Sequence, residues 1–141
     1  MYIEMEKALH DLEELLRTKI LLRPRQIKCV LKQIAQGLLY LHEEKKILHR
    51  DIKPANILWY EGGIIKITDF NHAIEVDKLK ECKWKGNCGT YWFKAPEFLL
   101  DLRYSEGIDV WALGCIFEFL LTGDFIFQFK ITKHEETYKR K

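Results

Sequence analysis

The sequence predicts a mainly α fold with a small β component, and three observations carry that prediction. Ile27, Leu31, Ile34, Leu38 and Leu41 recur at spacings of four and three, which places them on one face of a helix. A second apolar stretch runs from Ile108 to Leu121 and has the length and composition of a helix buried in a core. Between the two lie short apolar runs divided by Gly62-Gly63, the pattern of short strands joined by a turn. The chain has 141 residues, 48% hydrophobic and 31% charged, which fits one domain with a real core.

Taken in order, Asp11 to Arg17 reads as a helical turn or two, stopped by the segment leading to Pro24. Pro24 can open the next helix, because the first turn has no use for the amide hydrogen that proline lacks. Ile47 to His49 and Ile57 to Tyr60 are apolar runs around a polar stretch, and Gly62-Gly63 then leads into Ile64 to Ile67, so strand, turn, strand is the simplest reading. Asn71 to Lys94 shows no sustained period and is rich in lysine, which predicts a long surface loop. Pro96 to Leu102 reads as a short helix, and Ser105 or Glu106 begins the apolar helix that ends near Thr122-Gly123. Residues 129–141 form a basic tail, expected to be a solvated end.

Charge and composition exclude several classes of function. A net charge of +2 is too small to imply a nucleic-acid or membrane partner. The Ile108 to Leu121 run is shorter than the ~20 residues of a membrane span and carries Asp109 and Glu118. Cys29, Cys82, Cys88 and Cys115 show no zinc spacing, and the N-terminus has no signal-peptide pattern, so reduced thiols in a cytoplasmic or nuclear protein are expected.

The chemistry sits in ordered blocks. Leu48-His49-Arg50-Asp51-Ile52-Lys53-Pro54-Ala55-Asn56 puts a carboxylate, an amine and an amide on a tight loop whose flanking apolar runs anchor both ends. Ile67-Thr68-Asp69-Phe70-Asn71 follows the next strand and offers Asp69 as a hard oxygen ligand. Gly89-Thr90-Tyr91-Trp92-Phe93-Lys94-Ala95-Pro96-Glu97 comes third and Asp109-Val110-Trp111-Ala112-Leu113-Gly114-Cys115 fourth. A lone Arg-Asp pair would be an ordinary solvated surface; nine residues in this order are not.

The first block resembles the protein-kinase catalytic loop H-R-D-x-K-P-x-N, the second the D-F-G motif, the third the A-P-E end of the activation segment, and the fourth the start of the long buried helix. All four are collinear with the family from about residue 2 to about residue 128, most like the cyclin-dependent kinases. The resemblance implies a partial protein kinase domain over residues 1–128, consisting of hinge and C-terminal lobe, with a hairpin between catalytic and magnesium loops. It also implies serine/threonine specificity, ATP and Mg2+ as cofactors, a protein substrate and a possible cyclin-like partner.

Residue by residue, the resemblance makes Asp51 the catalytic base and Lys53 the cation beside the transferring phosphoryl group, with Asn56 and Asp69 as magnesium ligands. Met5 falls at the gatekeeper, Glu6 and Ala8 at the hinge, Asp11 near the ribose, and Leu58 at the adenine floor. Thr90 would bond toward Asp51 and Lys53, and Asp109 would tie down the catalytic-loop backbone. Asn71 replaces the family's glycine; among residues with a side chain, asparagine visits left-handed angles most readily. Lys85 stands where cyclin-dependent kinases carry their activating phosphothreonine, so that switch is expected to be unavailable.

Aligned this way the sequence starts at the hinge, and the glycine-rich loop, the phosphate-binding lysine and the last helices of the larger lobe have no counterpart in it. Little or no activity is therefore expected of the chain by itself, with apolar surface left uncovered on the Ile108 to Leu121 helix. Three readings follow: a serine/threonine kinase by descent, a catalytically silent kinase-like binding module, and a truncated product. Intact Asp51, Lys53, Asn56 and Asp69 favour the first.

Overall fold

A local hydrogen-bond reason can be given for each end of the first long helix. In the computed structural model, which describes residues 2, 4–18, 22–79 and 91–127, helix α2 spans Pro24–Leu39. Pro24 occupies its first turn, and Gln26 reaches back so that its Oε1 accepts from the Arg23 amide at 2.9 Å, satisfying a donor the helix leaves open. At its far end the chain widens into a π-helical turn over Tyr40–Glu44, closed by the Lys45 amide donating to the Tyr40 carbonyl at 3.1 Å. That wider turn carries His42 into the interior.

Before α2, strand β1 (His10–Asp11) runs into α1 (Leu12–Arg17), whose start is capped by Asp11 Oδ1 accepting from the Glu14 amide at 2.7 Å. After α2 come β2 (Ile47–Leu48), β3 (Ile57–Trp59), β4 (Ile65–Ile67) and β5 (Ile74–Glu75), then α3 (Pro96–Leu99) and α4 (Gly107–Thr122). One antiparallel sheet has the order β1-β3-β4, with Asp11 opposite Leu58 and Leu58 opposite Lys66; the other pairs β2 with β5. Gly62 and Gly63 make the β3–β4 turn at φ 73° and 78°, angles that cost residues with a Cβ free energy. The architecture is the mainly α fold with a small β component that the periodicity predicts.

The core lies between α2 and α4, with β3, β4 and α1 closing it. Ile27, Val30, Ile34 and Leu38 are the buried face of α2. Leu31 and Leu41, read from spacing as members of that face, flank it half-buried, and Val30 takes the inner place. Gly37 brings the hairpin close: a Cβ there would stand 3.0 Å from Ile67 Cδ1, so the Ile67 side chain of β4 packs directly on the α2 backbone.

Two expectations change. The stretch after Asn71, read as loop, contains β5 among its described residues, pairing Ile74 with Leu48; a two-residue strand defined by its partner has no period of its own to detect. The helix at Pro96 ends at Leu99, earlier than Leu102. Lys85, Thr90 and the basic tail at 129–141 lie outside the described residues. Cys29 and Cys115 are free thiols, and no described helix is long and apolar enough to cross a membrane.

Gln33 fastens the hairpin to α2. Its Nε2 donates to the Gly63 carbonyl at 2.9 Å, and its Oε1 accepts from the Ile65 amide at 3.0 Å. Gln33→Ala leaves both backbone groups without this partner and is expected to lower unfolding stability by about 1–3 kcal/mol. Urea melts followed by circular dichroism measure this, and an unchanged midpoint would show that solvent replaces the clamp.

Candidate active site

The site grows from a buried carboxylate. Asp109, in the first turn of α4 and 1% exposed, accepts from the amides of His49 at 2.8 Å and Arg50 at 2.9 Å. It also pairs at 2.9 Å with His42 Nε2, which must donate because an ionised carboxylate only accepts. Three donors on one buried carboxylate answer its desolvation. They also hold Arg50 at φ 66°, a left-handed backbone that costs about 1–2 kcal/mol in residues other than glycine.

His49, itself fully buried, is locked as one tautomer. Its Nε2 lies 3.0 Å from the Thr68 carbonyl and its Nδ1 3.3 Å from the Asp51 amide, so the proton sits on Nε2. Burial pushes its pKa below the usual 6.5, against the opposing pull of the Thr68 carbonyl and of Asp109, Asp51 and Asp69. One face of its ring meets Phe70 edge-on at 4.9 Å, joining the loop before β3 to the loop after β4.

From this base the polar groups converge. Asp51 is buried; Lys53 Nζ lies 2.7 Å from its Oδ2. Asn56 Nδ2 donates to the Asp51 carbonyl at 2.8 Å and to Oδ2 at 3.2 Å. Those two donations orient the Asn56 amide and leave its Oδ1 as the remaining acceptor. The Thr68 amide donates to the Asn56 carbonyl at 3.0 Å, so Asp69, the next residue, follows directly on the strand beside Asn56. Asp69 is half-buried at φ 65°.

Asn71 lies in a 3-10 turn over Phe70–His72 and has no positive φ. The left-handed angle at this loop belongs to Asp69, so the side chain standing in place of glycine meets no backbone penalty in this conformation.

The residues placed at the nucleotide base form a second group. Asp11 and Leu58 face each other across β1 and β3, and Leu58 is half-buried. Ala8 is half-buried, while Glu6 is exposed and paired with Lys66, a contact that raises the Lys66 pKa. Met5 is 72% exposed, so in the described structure it packs in no core.

Reading of the sequence missed three supports. His42 and Gln33 gave no motif. Lys94 is buried, donates to the Arg50 carbonyl at 3.2 Å and lies 4.8 Å over the Phe98 ring. Arg50 donates from Nε to the His72 carbonyl at 2.6 Å and from a terminal nitrogen to Tyr104 Oη at 3.2 Å. For Lys94, the signal within reach was an amine inside an otherwise uncharged, aromatic-rich stretch, Tyr91 to Pro96.

The family model described as the protein kinase domain matches residues 1–141. The chain belongs to the protein kinase domain family. Among its curated relatives are the serine/threonine-protein kinase SSN3 of Eremothecium gossypii, 41% identical over 128 residues, and cyclin-dependent kinase 11 of Dictyostelium discoideum, 36% identical over 129 residues. These alignments cover 85% and 90% of this chain but 22% and 36% of the two relatives. Among solved structures, the yeast RNA polymerase II CTD kinase CTDK-1 complex superposes with a TM-score of 0.79 at 36% identity, over 89% of this chain and 41% of that one. Kinase-family membership accounts for the order of the blocks, and the kinase fold accounts for the helical scaffold beneath them.

Stability of this kinase-family core depends on His49 remaining neutral. Its folded pKa lies below its unfolded value of about 6.5, so in that window the unfolded chain binds more protons and stability rises with pH. As pH falls through about 6.5 toward the lower folded value, the protein is expected to lose stability. The melting temperature between pH 7.5 and 5.5 should fall more steeply in the wild type than in His49→Asn; equal slopes would remove His49 as the cause.

Proposed function

We propose that the protein carrying this chain is a serine/threonine protein kinase that transfers the γ-phosphoryl group of ATP to a protein hydroxyl. The observation that carries this reading is the meeting of Asp51, Lys53 and Asn56 within hydrogen-bond distance, beside the strand that delivers Asp69. Asp51 accepts the proton of the substrate hydroxyl as its oxygen attacks phosphorus and ADP departs. Lys53, already beside that carboxylate, offers its ammonium to the charge on the transferring group.

The donor set fits magnesium. Asn56 Oδ1 and the Asp69 carboxylate are hard oxygens, and among the described residues no cluster of three or more His, Cys, Asp or Glu side chains forms a self-sufficient metal cage. Magnesium suits such a sparse set, since it is commonly held by one or two carboxylates together with substrate phosphates. When bound, the metal neutralises phosphate charge and lowers the cost of bringing a nucleophile to it.

Glu6 and Ala8 would supply backbone groups for adenine, Asp11 would lie near the ribose, and Leu58 would form the adenine floor. The pairing of Asp11 with Leu58 across two strands supports placing both at one end of the cleft. The relative named cyclin-dependent kinase 11 supports a cyclin-like partner. The neighbour named for RNA polymerase II supports the nucleus over the cytoplasm as the place of action.

Binding and chemistry separate in the test. Thermal melts with ATP and Mg2+ are expected to show a midpoint rise that needs both, corresponding to about 2.7 kcal/mol at free ligand a hundredfold above Kd. Asp69→Ala should abolish it. In the protein that carries this chain, Asp51→Asn should keep it while lowering phosphotransfer to a protein acceptor by about a hundredfold or more. A folded sample that shows no rise would overturn the reading for this chain.

A further inference from the structure

Ala95, Phe98 and Ile108 make a small core of their own, against which Tyr104 packs. Beside these apolar groups Lys94 is only 8% exposed. Burying an ammonium is costly unless it finds partners, and a side chain whose sole task was to fill this space would be apolar. The Lys94 ammonium lies 4.8 Å over the Phe98 ring and donates to the Arg50 carbonyl at 3.2 Å. Phe98 in turn meets the Tyr104 ring edge-on at 4.9 Å.

Tyr104 reaches Arg50 as well, through the side chain. Its Oη accepts from a terminal Arg50 nitrogen at 3.2 Å, while Arg50 Nε donates to the His72 carbonyl at 2.6 Å. With its amide on Asp109 Oδ1, Arg50 is held at amide, carbonyl and guanidinium together. His72 belongs to the 3-10 turn that follows Asp69, so the guanidinium also ties the Asp51 loop to the Asp69 turn. All this restraint falls on a residue at φ 66°, an angle that persists only where the surroundings impose it. The Arg50 carbonyl shares one rigid peptide plane with the amide and Cα of Asp51. On the far edge of that plane the Asp51 amide faces His49 Nδ1 at 3.3 Å, so a donor on the carbonyl completes the restraint of the plane from which the Asp51 side chain departs.

We propose that Lys94 and Tyr104 are positioning residues for Asp51, acting through Arg50. Lys94 sets the Arg50–Asp51 peptide plane, and Tyr104 keeps the guanidinium on the His72 carbonyl. The proposal rests on the reading of Asp51 as the base of phosphotransfer. The two side chains act by different routes: Lys94 works on the backbone and has no need of the Arg50 side chain, whereas Tyr104 works only through it.

Steady-state kinetics on the protein that carries this chain separate positioning from packing. Tyr104→Phe keeps the ring that meets Phe98 and removes the hydroxyl; Lys94→Met keeps a long apolar stem and removes the ammonium. Each is expected to lower kcat about tenfold, the size of one charge-assisted hydrogen bond, with KM for ATP within about twofold of wild type. In an Arg50→Ala background, Tyr104→Phe should have no further effect on kcat, while Lys94→Met should keep its full effect because the carbonyl it bonds is still there. Hydrogen exchange in the chain itself reads the same contacts without phosphotransfer: the His49 and Arg50 amides should exchange about tenfold faster in each variant, while those of α2 keep their rates. Unchanged exchange at the two amides would overturn the proposal, as would a wild-type kcat in both variants or a rise in KM at constant kcat. A Tyr104→Phe loss that persists in full without the Arg50 side chain would sink it too. A wild-type protein that transfers no phosphate would instead count against the kinase reading, and the exchange rates would then decide whether Lys94 and Tyr104 hold Arg50.

Discussion

Asp109 is the point on which the rest of the arrangement hangs. Its carboxylate sits buried in the first turn of a predominantly apolar helix, where an ion without partners would be prohibitively costly. The His49 and Arg50 amides and the His42 imidazole together make that burial tolerable. Because two of the three donors are backbone, satisfying the charge also fixes the path of the loop. The left-handed turn at Arg50 follows, and with it the direction in which Asp51 leaves the core.

From there the site is a succession of local constraints. His49 is neutral and doubly bonded, so it links the loop before β3 to Thr68 after β4 without introducing a charge. Asn56 holds Asp51 from the other side, and Lys53 answers its charge. Lys94, from beyond the long loop, bonds the Arg50 carbonyl and so closes the arrangement from below. The elements that carry these side chains are short, and their geometry is held by hydrogen bonds to one another more than by their own regularity.

The apolar helices serve the polar site indirectly. Helix α2 packs on α4 and on β4, and Gln33 and Gly37 bring the hairpin onto α2 at close range. The same α4 that presents Asp109 inward presents Val110, Phe117 and Leu121 outward. One helix thus carries both the carboxylate that fixes the loop and exposed apolar side chains.

The helices, the glycine turn and the order of chemical blocks were legible in the residues. Their signals are local: a period of three and four, a proline in a first turn, a glycine pair, and nine loop residues in a fixed order. Strand β5, the inner place of Val30 and the half-buried position of Leu31 were not legible, because each depends on what lies across from it. His42 and Gln33 were equally silent, since a side chain that bonds a distant partner leaves no spacing to read. By itself the sequence determined which chemical groups are present and roughly which elements carry them. The family resemblance implied that Asp109 ties down the loop backbone; only the tertiary structure decided that it does so through the His49 and Arg50 amides, some sixty residues away, and that His42 joins them. The physical reason is that a buried charge must find its donors wherever the fold can bring them.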